Sequence, residues 1–222
     1  MQITQNVRKI VNLLEEYFGE PKWQGRGNPL SSLIKTVLSQ STNDRNRDMA
    51  YSALKQKFSN WEALRNASAA EIAVIIRPAG LANQKSVRIK NILEWIYSTY
   101  GSLNLDFICE MDSTEVIKTF MQLPGIGIKT ISVVLMFSCG VDIFPVDTHV
   151  HRLCRRIGLV PEKTSAEKTH RLMQPLVPAD KSYSLHNNLL NLGRTICKAR
   201  NPRCSNCPIS EICQFGQSYS EK

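Results

Sequence analysis

The sequence predicts an all-α protein, and three observations carry that prediction. Apolar residues recur at three- and four-residue spacing almost from end to end. Alternation of period two is nowhere sustained, and Asn, Asp, Ser, Gly and Pro stand where the periodic stretches begin and stop. Val7, Ile10, Val11, Leu14 and Phe18 make one stripe of an opening amphipathic helix, which Gly19 and Pro21 close. Residues 23–29, with two glycines and a proline, read as a linker. Leu30 to Gln40 predicts a second helix, its face built on Leu33, Ile34, Val37 and Leu38. Asn43 and Asp44 suit the cap of a third, which carries Met49, Leu54 and Phe58. Ser59-Asn60 and Ser68 start two more, before Pro78-Ala79-Gly80 breaks the chain. Val87, Ile89, Ile92, Leu93 and Ile96 give a further apolar face, and residues 114–122, 129–137 and 148–157 continue the series. The pattern amounts to about ten short helices with no low-complexity segment.

With 222 residues, 42% of them hydrophobic, the chain can bury a core as one large domain or two small ones, and the composition argues against disorder. The opening residues mix charge into their apolar pattern, unlike a secretory signal, and the most apolar run, Ile131 to Phe137, is too short to span a bilayer. A cytoplasmic protein with no membrane association is expected. The net charge is +9, and between His151 and Arg203 eleven Lys or Arg stand against three acids. Such a basic half favours a polyanion, and without a basic amphipathic helix bearing aromatic anchors that polyanion is nucleic acid rather than a membrane. Seven cysteines in such a chain argue against a disulfide framework. Cys109, Cys139 and Cys154 lie in apolar stretches and are expected as separate small buried residues. Cys197, Cys204, Cys207 and Cys213 crowd into seventeen residues. Four thiolates suit zinc or an iron–sulfur cluster, and physics alone leaves both open, although the outer spacings of six and five differ from the paired short units of structural zinc sites.

Leu123-Pro-Gly-Ile-Gly-Ile-Lys-Thr130 lies between two helical patterns. Glycines permit positive φ and close backbone approach, and a turn of this kind entering a helix aims N–H groups outward as a cradle for phosphate. An ordinary helix–helix turn is the other reading of the glycines alone. A dinucleotide fingerprint fails for want of a preceding strand and a third glycine, and a P-loop fails for want of a glycine directly before Lys129. The octapeptide resembles the helix-hairpin-helix of the DNA glycosylase superfamily to which endonuclease III belongs. Val146-Asp147-Thr148-His149 follows at that family's spacing, eighteen positions from Lys129 to Asp147, and Leu38 to Asp44 is similar to its LSxQxTD segment. The four-cysteine spacing also resembles the family's cluster loop. The likeness runs from about residue 6 to residue 215.

The resemblance implies two helical domains with a DNA cleft between them. One is a six-helix domain over residues 22–141 that carries the hairpin. The other is discontinuous, residues 1–21 with 142–222, and ends in the cluster loop at 197–213. It implies a base-excision DNA glycosylase with AP lyase activity, acting as a monomer on duplex DNA that contains a damaged base, an oxidised pyrimidine at the family's centre, or an abasic site. In a prokaryote it would be nucleoid-associated. Cys197, Cys204, Cys207 and Cys213 would hold a [4Fe–4S] cluster. Lys129 would be the nucleophile, its amine kept neutral by the helix N-terminus and partial burial; on residue type alone it reads as a phosphate-contacting lysine. Asp147 would stabilise positive charge on the sugar, and it is placed equally well to cap a helix. DNA contacts would come from Gln40, Ser41, Leu81, Gly125, Gly127, Thr130, Lys198, Arg200 and Arg203. Leu81 matches a wedge that enters the opposite strand, although seen alone it reads as core. Two positions depart from the pattern: Ser41 stands where endonuclease III has a gap-filling glutamine, with Gln40 just before it, and Ile128 stands where the family has an arginine. His149 and His186 match family positions and are expected to make structural hydrogen bonds. The rival readings are a monofunctional uracil, thymine-mismatch or adenine-mismatch glycosylase, and a non-catalytic DNA-binding module stabilised by metal. Lys129 weighs against the first, and Lys129 with Asp147 together weighs against the second.

Overall fold

A computed structural model of the protein describes residues 2–220. Among them the chain forms twelve α-helices and no strand: α1 (Gln2–Phe18), α2 (Pro29–Ser39), α3 (Asp44–Lys57), α4 (Trp61–Asn66), α5 (Ala69–Ile75), α6 (Ala82–Tyr100), α7 (Ser113–Phe120), α8 (Ile128–Val134), α9 (Thr148–Ile157), α10 (Ala166–Met173), α11 (Ser182–Thr195) and α12 (Gln214–Ser220). The local signals explain where many of them begin. Asn43, Asn60 and Ser68 each accept a hydrogen bond from the backbone N–H three residues on, at the heads of α3, α4 and α5. Asp112 and Ser165 do the same for α7 and α10.

The chain divides into two compact units, Arg26–Cys139 and Met1–Gly25 with Gly140–Lys222. The continuous unit therefore starts at 26 and ends at 139, a little inside the 22–141 that the sequence suggested. The Trp23 ring lies against Gly140, where an added Cβ would sit 3.0 Å from it, so the linker end at 23 keeps company with residue 140.

In the continuous unit α2 packs on α3, α6 and α8, while α4 and α5 pack on α6 and α7 on α8. Leu30, Leu33, Ile34 and Val37 of α2, Ile89, Ile92, Leu93 and Ile96 of α6, and Ile131 and Val134 of α8 are all buried. Beyond Val134 the last helix runs on as one π-helical turn, Leu135–Cys139. That turn packs on the short 3-10 turn Asp106–Cys109. Cys109 and Cys139 thereby come within 4.9 Å at Cα and form a disulfide, which corrects the expectation of two separate buried thiols. In the discontinuous unit α11 packs on α1 and α9, and α10 and α12 pack on α9. Its core joins Val7, Ile10 and Leu14 to Phe144, Val150, Leu153, Leu185 and Leu189. Cys154 is a free thiol wholly inside that core, and burial pushes it up to about 12, so it stays protonated and inert.

Candidate active site and cluster loop

The hairpin between α7 and α8 is built by its own backbone. Ile126 N–H donates to Leu123 O at 3.0 Å and Thr130 N–H to Gly127 O at 2.9 Å. Gly125 sits at φ +82°, which demands glycine, whereas Gly127 is extended at φ −101° and needs no glycine for its conformation. An added Cβ at Gly127 would point into open space, so the site is accessible from outside. Lys129 is half-buried in the first turn of α8. Thr130 is buried, and its N–H is used inside the turn.

Asp147 is the N-cap of α9, its Oδ1 accepting from Val150 N–H at 2.8 Å. The stretch leading to it is held by side chains rather than by a helix or sheet ladder. His170 Nδ1 donates to Phe144 O at 2.7 Å, His186 Nδ1 donates to Pro145 O at 2.9 Å, and Phe144 N–H donates to Gln174 Oε1 at 2.9 Å. His186 makes the structural hydrogen bond expected of it, and His149 Nδ1 accepts from Arg152 at 3.2 Å. His170 and Gln174 were not singled out from the sequence. His170 lies on α10 and Gln174 just beyond its end, and polarity at those positions does not say what they reach.

Two further expected contacts lie in strained turns of the continuous unit. Ser41, at φ 53°, follows α2, and Leu81, at φ 48°, precedes α6. Leu81 is 51% exposed, which is not the behaviour of a core leucine. Gln40 is held: its Oε1 accepts from Arg88, and its Nε2 donates to Gly125 O at 3.3 Å. The Arg88 guanidinium fills the space where a Cβ on Gly125 would be.

Cys197, Cys204, Cys207 and Cys213 line one cavity together with Ile196, Pro202 and Phe215. Burial pushes Cys207 up to about 11 and also raises Cys204 and Cys213. Arg156 of α9 donates to Cys197 Sγ at 3.2 Å and to Lys198 O at 2.8 Å, and Arg152 donates to Cys197 O at 3.0 Å. Among the described residues no three His, Cys, Asp or Glu converge tightly enough to hold a single metal ion. The four cysteines share one cavity, and a four-thiolate donor set fits an iron–sulfur cluster. Lys198 and Arg200 are exposed on the loop, while Arg203 donates to Thr195 O, a carbonyl at the end of α11. Arg203 is likewise exposed.

Comparison with known proteins bears on all of these features. Residues 34–179 match the model of the HhH-GPD superfamily base excision DNA repair proteins, and residues 197–213 match the iron–sulfur binding domain of endonuclease III. Endonuclease III of Thermotoga maritima is 32% identical over 195 residues, covering 88% of this chain and 87% of that one. A non-covalent endonuclease III–DNA complex superposes with a TM-score of 0.84 at 26% identity, over 99% of both chains. A trapped endonuclease III–DNA covalent intermediate gives the same score and identity over 98% of both. No helix among the described residues is long and apolar enough to cross a membrane.

Proposed function

The chain belongs to the HhH-GPD superfamily of base excision DNA repair proteins, as an endonuclease III-like DNA glycosylase/AP lyase, and from that premise we propose that it excises an oxidised pyrimidine from duplex DNA through a Schiff base on Lys129. One observation carries the reading: the full-length likeness to an endonuclease III caught covalently on DNA, in a chain that keeps a lysine in the first turn after the hairpin.

The chemistry needs three things from the protein. The base must leave the stack, because the glycosidic bond is out of reach inside a duplex. Leu81, exposed in its strained turn, is the wedge that fills the opened stack, with the turn at Ser41 beside the vacated position. Next, breaking the bond between C1′ and the base places positive charge on the sugar, which the Asp147 carboxylate stabilises. The Lys129 amine then forms a bond to C1′ as the base departs with a proton, and opening of the sugar ring leaves an imine. Loss of a C2′ proton breaks the 3′ C–O bond, releases the 3′ phosphate and cuts the strand. The hairpin backbone at Gly125 and Gly127, with Lys198 and Arg200 of the cysteine loop, meets phosphates and orients the duplex.

Cys197, Cys204, Cys207 and Cys213 hold a [4Fe–4S] cluster on this reading. Once bound, it supplies ligation that organises a loop with little core of its own. The experiment that tests the substrate class is a panel of duplexes, each with one lesion, scored separately for base release and strand cleavage. Thymine glycol and other oxidised pyrimidines should be processed with strand cleavage. Base release confined to uracil or mismatched thymine would replace the oxidised-pyrimidine assignment.

A further inference from the structure

Resting on the glycosylase reading above, we propose that Lys85 is a positioning residue whose buried ammonium ties together the two turns, at Ser41 and at Leu81, that meet the opened base stack. Lys85 occupies the apolar stripe of α6 at the spacing of Ile89, Ile92 and Ile96 and is 1% exposed. A lysine on a core face is costly unless its donors are used. They are: Nζ donates to Leu38 O and to Ala79 O, each at 2.7 Å. Side chains on a helix lean towards its N-terminus, so a residue in the first turn of α6 naturally reaches the chain just ahead of that helix. Ala79 is two residues before Leu81.

Leu38 O belongs to the last turn of α2, where carbonyls lack partners within the helix. The Thr42 N–H does not supply one, since it donates to Ser39 O at 3.4 Å. Lys85 fills that place from a segment 47 positions away. The oxygen ends of a helix favour a cation, and these two carbonyls meet the charge where no carboxylate does among the described residues. Burial, with Arg88 nearby, lowers the Lys85 pKa from its usual value.

What makes the arrangement functional is the conformation of the residues it anchors. Ser41 and Leu81 both have φ near +50°, a region that non-glycine residues keep only when their surroundings impose it. One ammonium fixes the carbonyl three residues before the first and two before the second. Arg88, one turn further along α6, continues the bracing by holding Gln40 against the hairpin at Gly125. The two turns are thus set relative to each other by one helix of the same unit, ahead of any contact with DNA.

The experiment is a double-mutant cycle on the full-length protein, read by single-turnover excision from a lesion in a stable pair and by binding to a tetrahydrofuran abasic-site duplex. Lys85→Met keeps the side chain's bulk and removes its donors. It should slow excision about tenfold, while abasic-site binding, which needs no base extruded, stays within about threefold. In the Leu81→Ala background the same change should slow excision little further, because the wedge it positions is gone. Lys85→Gln, which keeps an N–H donor, should recover part of the rate and serves in the cycle if Lys85→Met does not accumulate. Multiplicative losses in the double variant, an unchanged rate in Lys85→Met, or failure of both variants to fold would overturn the proposal. A parent protein that releases no base from any lesion would sink the glycosylase reading and this proposal with it; an active parent with multiplicative losses sinks this proposal alone.

Discussion

Asp147 has two jobs that pull on different atoms, and substitution separates them. Its Oδ1 caps α9, and on the proposed mechanism its charge stabilises the developing cation on the sugar. Asparagine caps as well as aspartate does but carries no charge, so Asp147→Asn should melt near the parent while base release collapses. Asp147→Ala should in addition lose about 1 kcal/mol of stability from the missing cap. Equal base release by Asp147→Asn and the parent would reduce Asp147 to a cap. Leu81→Ala should slow excision from a stable pair more than from a mismatched one, since the wedge offsets the cost of unstacking. Equal slowing on both would mean that the side chain only packs. At this scale the sequence revealed residues whose meaning is local: the hairpin glycines, the cap at Asp147, the cysteine spacing. It concealed those whose meaning depends on a distant partner. Lys85 stands at core spacing on an apolar face, a visible anomaly, yet nothing in the chain says that it reaches Leu38 and Ala79. Arg203 looks like its neighbours in the loop until Thr195 O is found to hold it.

The helices were legible because their caps are short-range signals, as Asn43, Asn60 and Ser68 attest. The disulfide was not, because it joins cysteines 30 residues apart that only the packing of two short turns brings together. The segment before Asp147 belongs to the same class, since its backbone is satisfied by His170, His186 and Gln174 from helices that follow much later. His170 makes this bracing sensitive to acid. Burial holds its pKa below the usual imidazole value, so as pH falls through about 6.5 the unfolded chain takes up a proton that the folded chain resists. Stability should therefore decline on the acid side of that point, and His170→Gln should flatten the decline in a series of thermal melts. The same slope in the variant would assign the loss to other groups. The cysteine loop behaves differently: its raised thiols must give up protons to bind metal, so Cys204→Ser should leave a loop unfastened and little soluble protein.

For the whole molecule, the charge surplus between His151 and Arg203 was the earliest sign of a polyanionic partner, and its consequence is measurable. Binding to undamaged duplex should be weak and steeply salt-dependent. Replacing Lys198 and Arg200 by alanine should lower the slope of log K against log salt by about 1 to 2 units. Arg203→Ala should change it less, because that guanidinium is already engaged within the protein. An unchanged slope in the double variant would place both side chains away from DNA.

If this chain cuts damaged DNA through a Schiff base on Lys129, the protein can be captured covalently on its substrate. Borohydride reduces an imine to a stable amine, so it should fix the protein on a duplex that carries a processed lesion. Lys129→Gln removes the amine but keeps much of the side chain's reach. It should still bind the damaged duplex, while the trapped adduct disappears and strand cleavage falls by several orders of magnitude. Base release by the parent protein with no adduct at any lesion tested, or an adduct that persists in Lys129→Gln, would contradict the account.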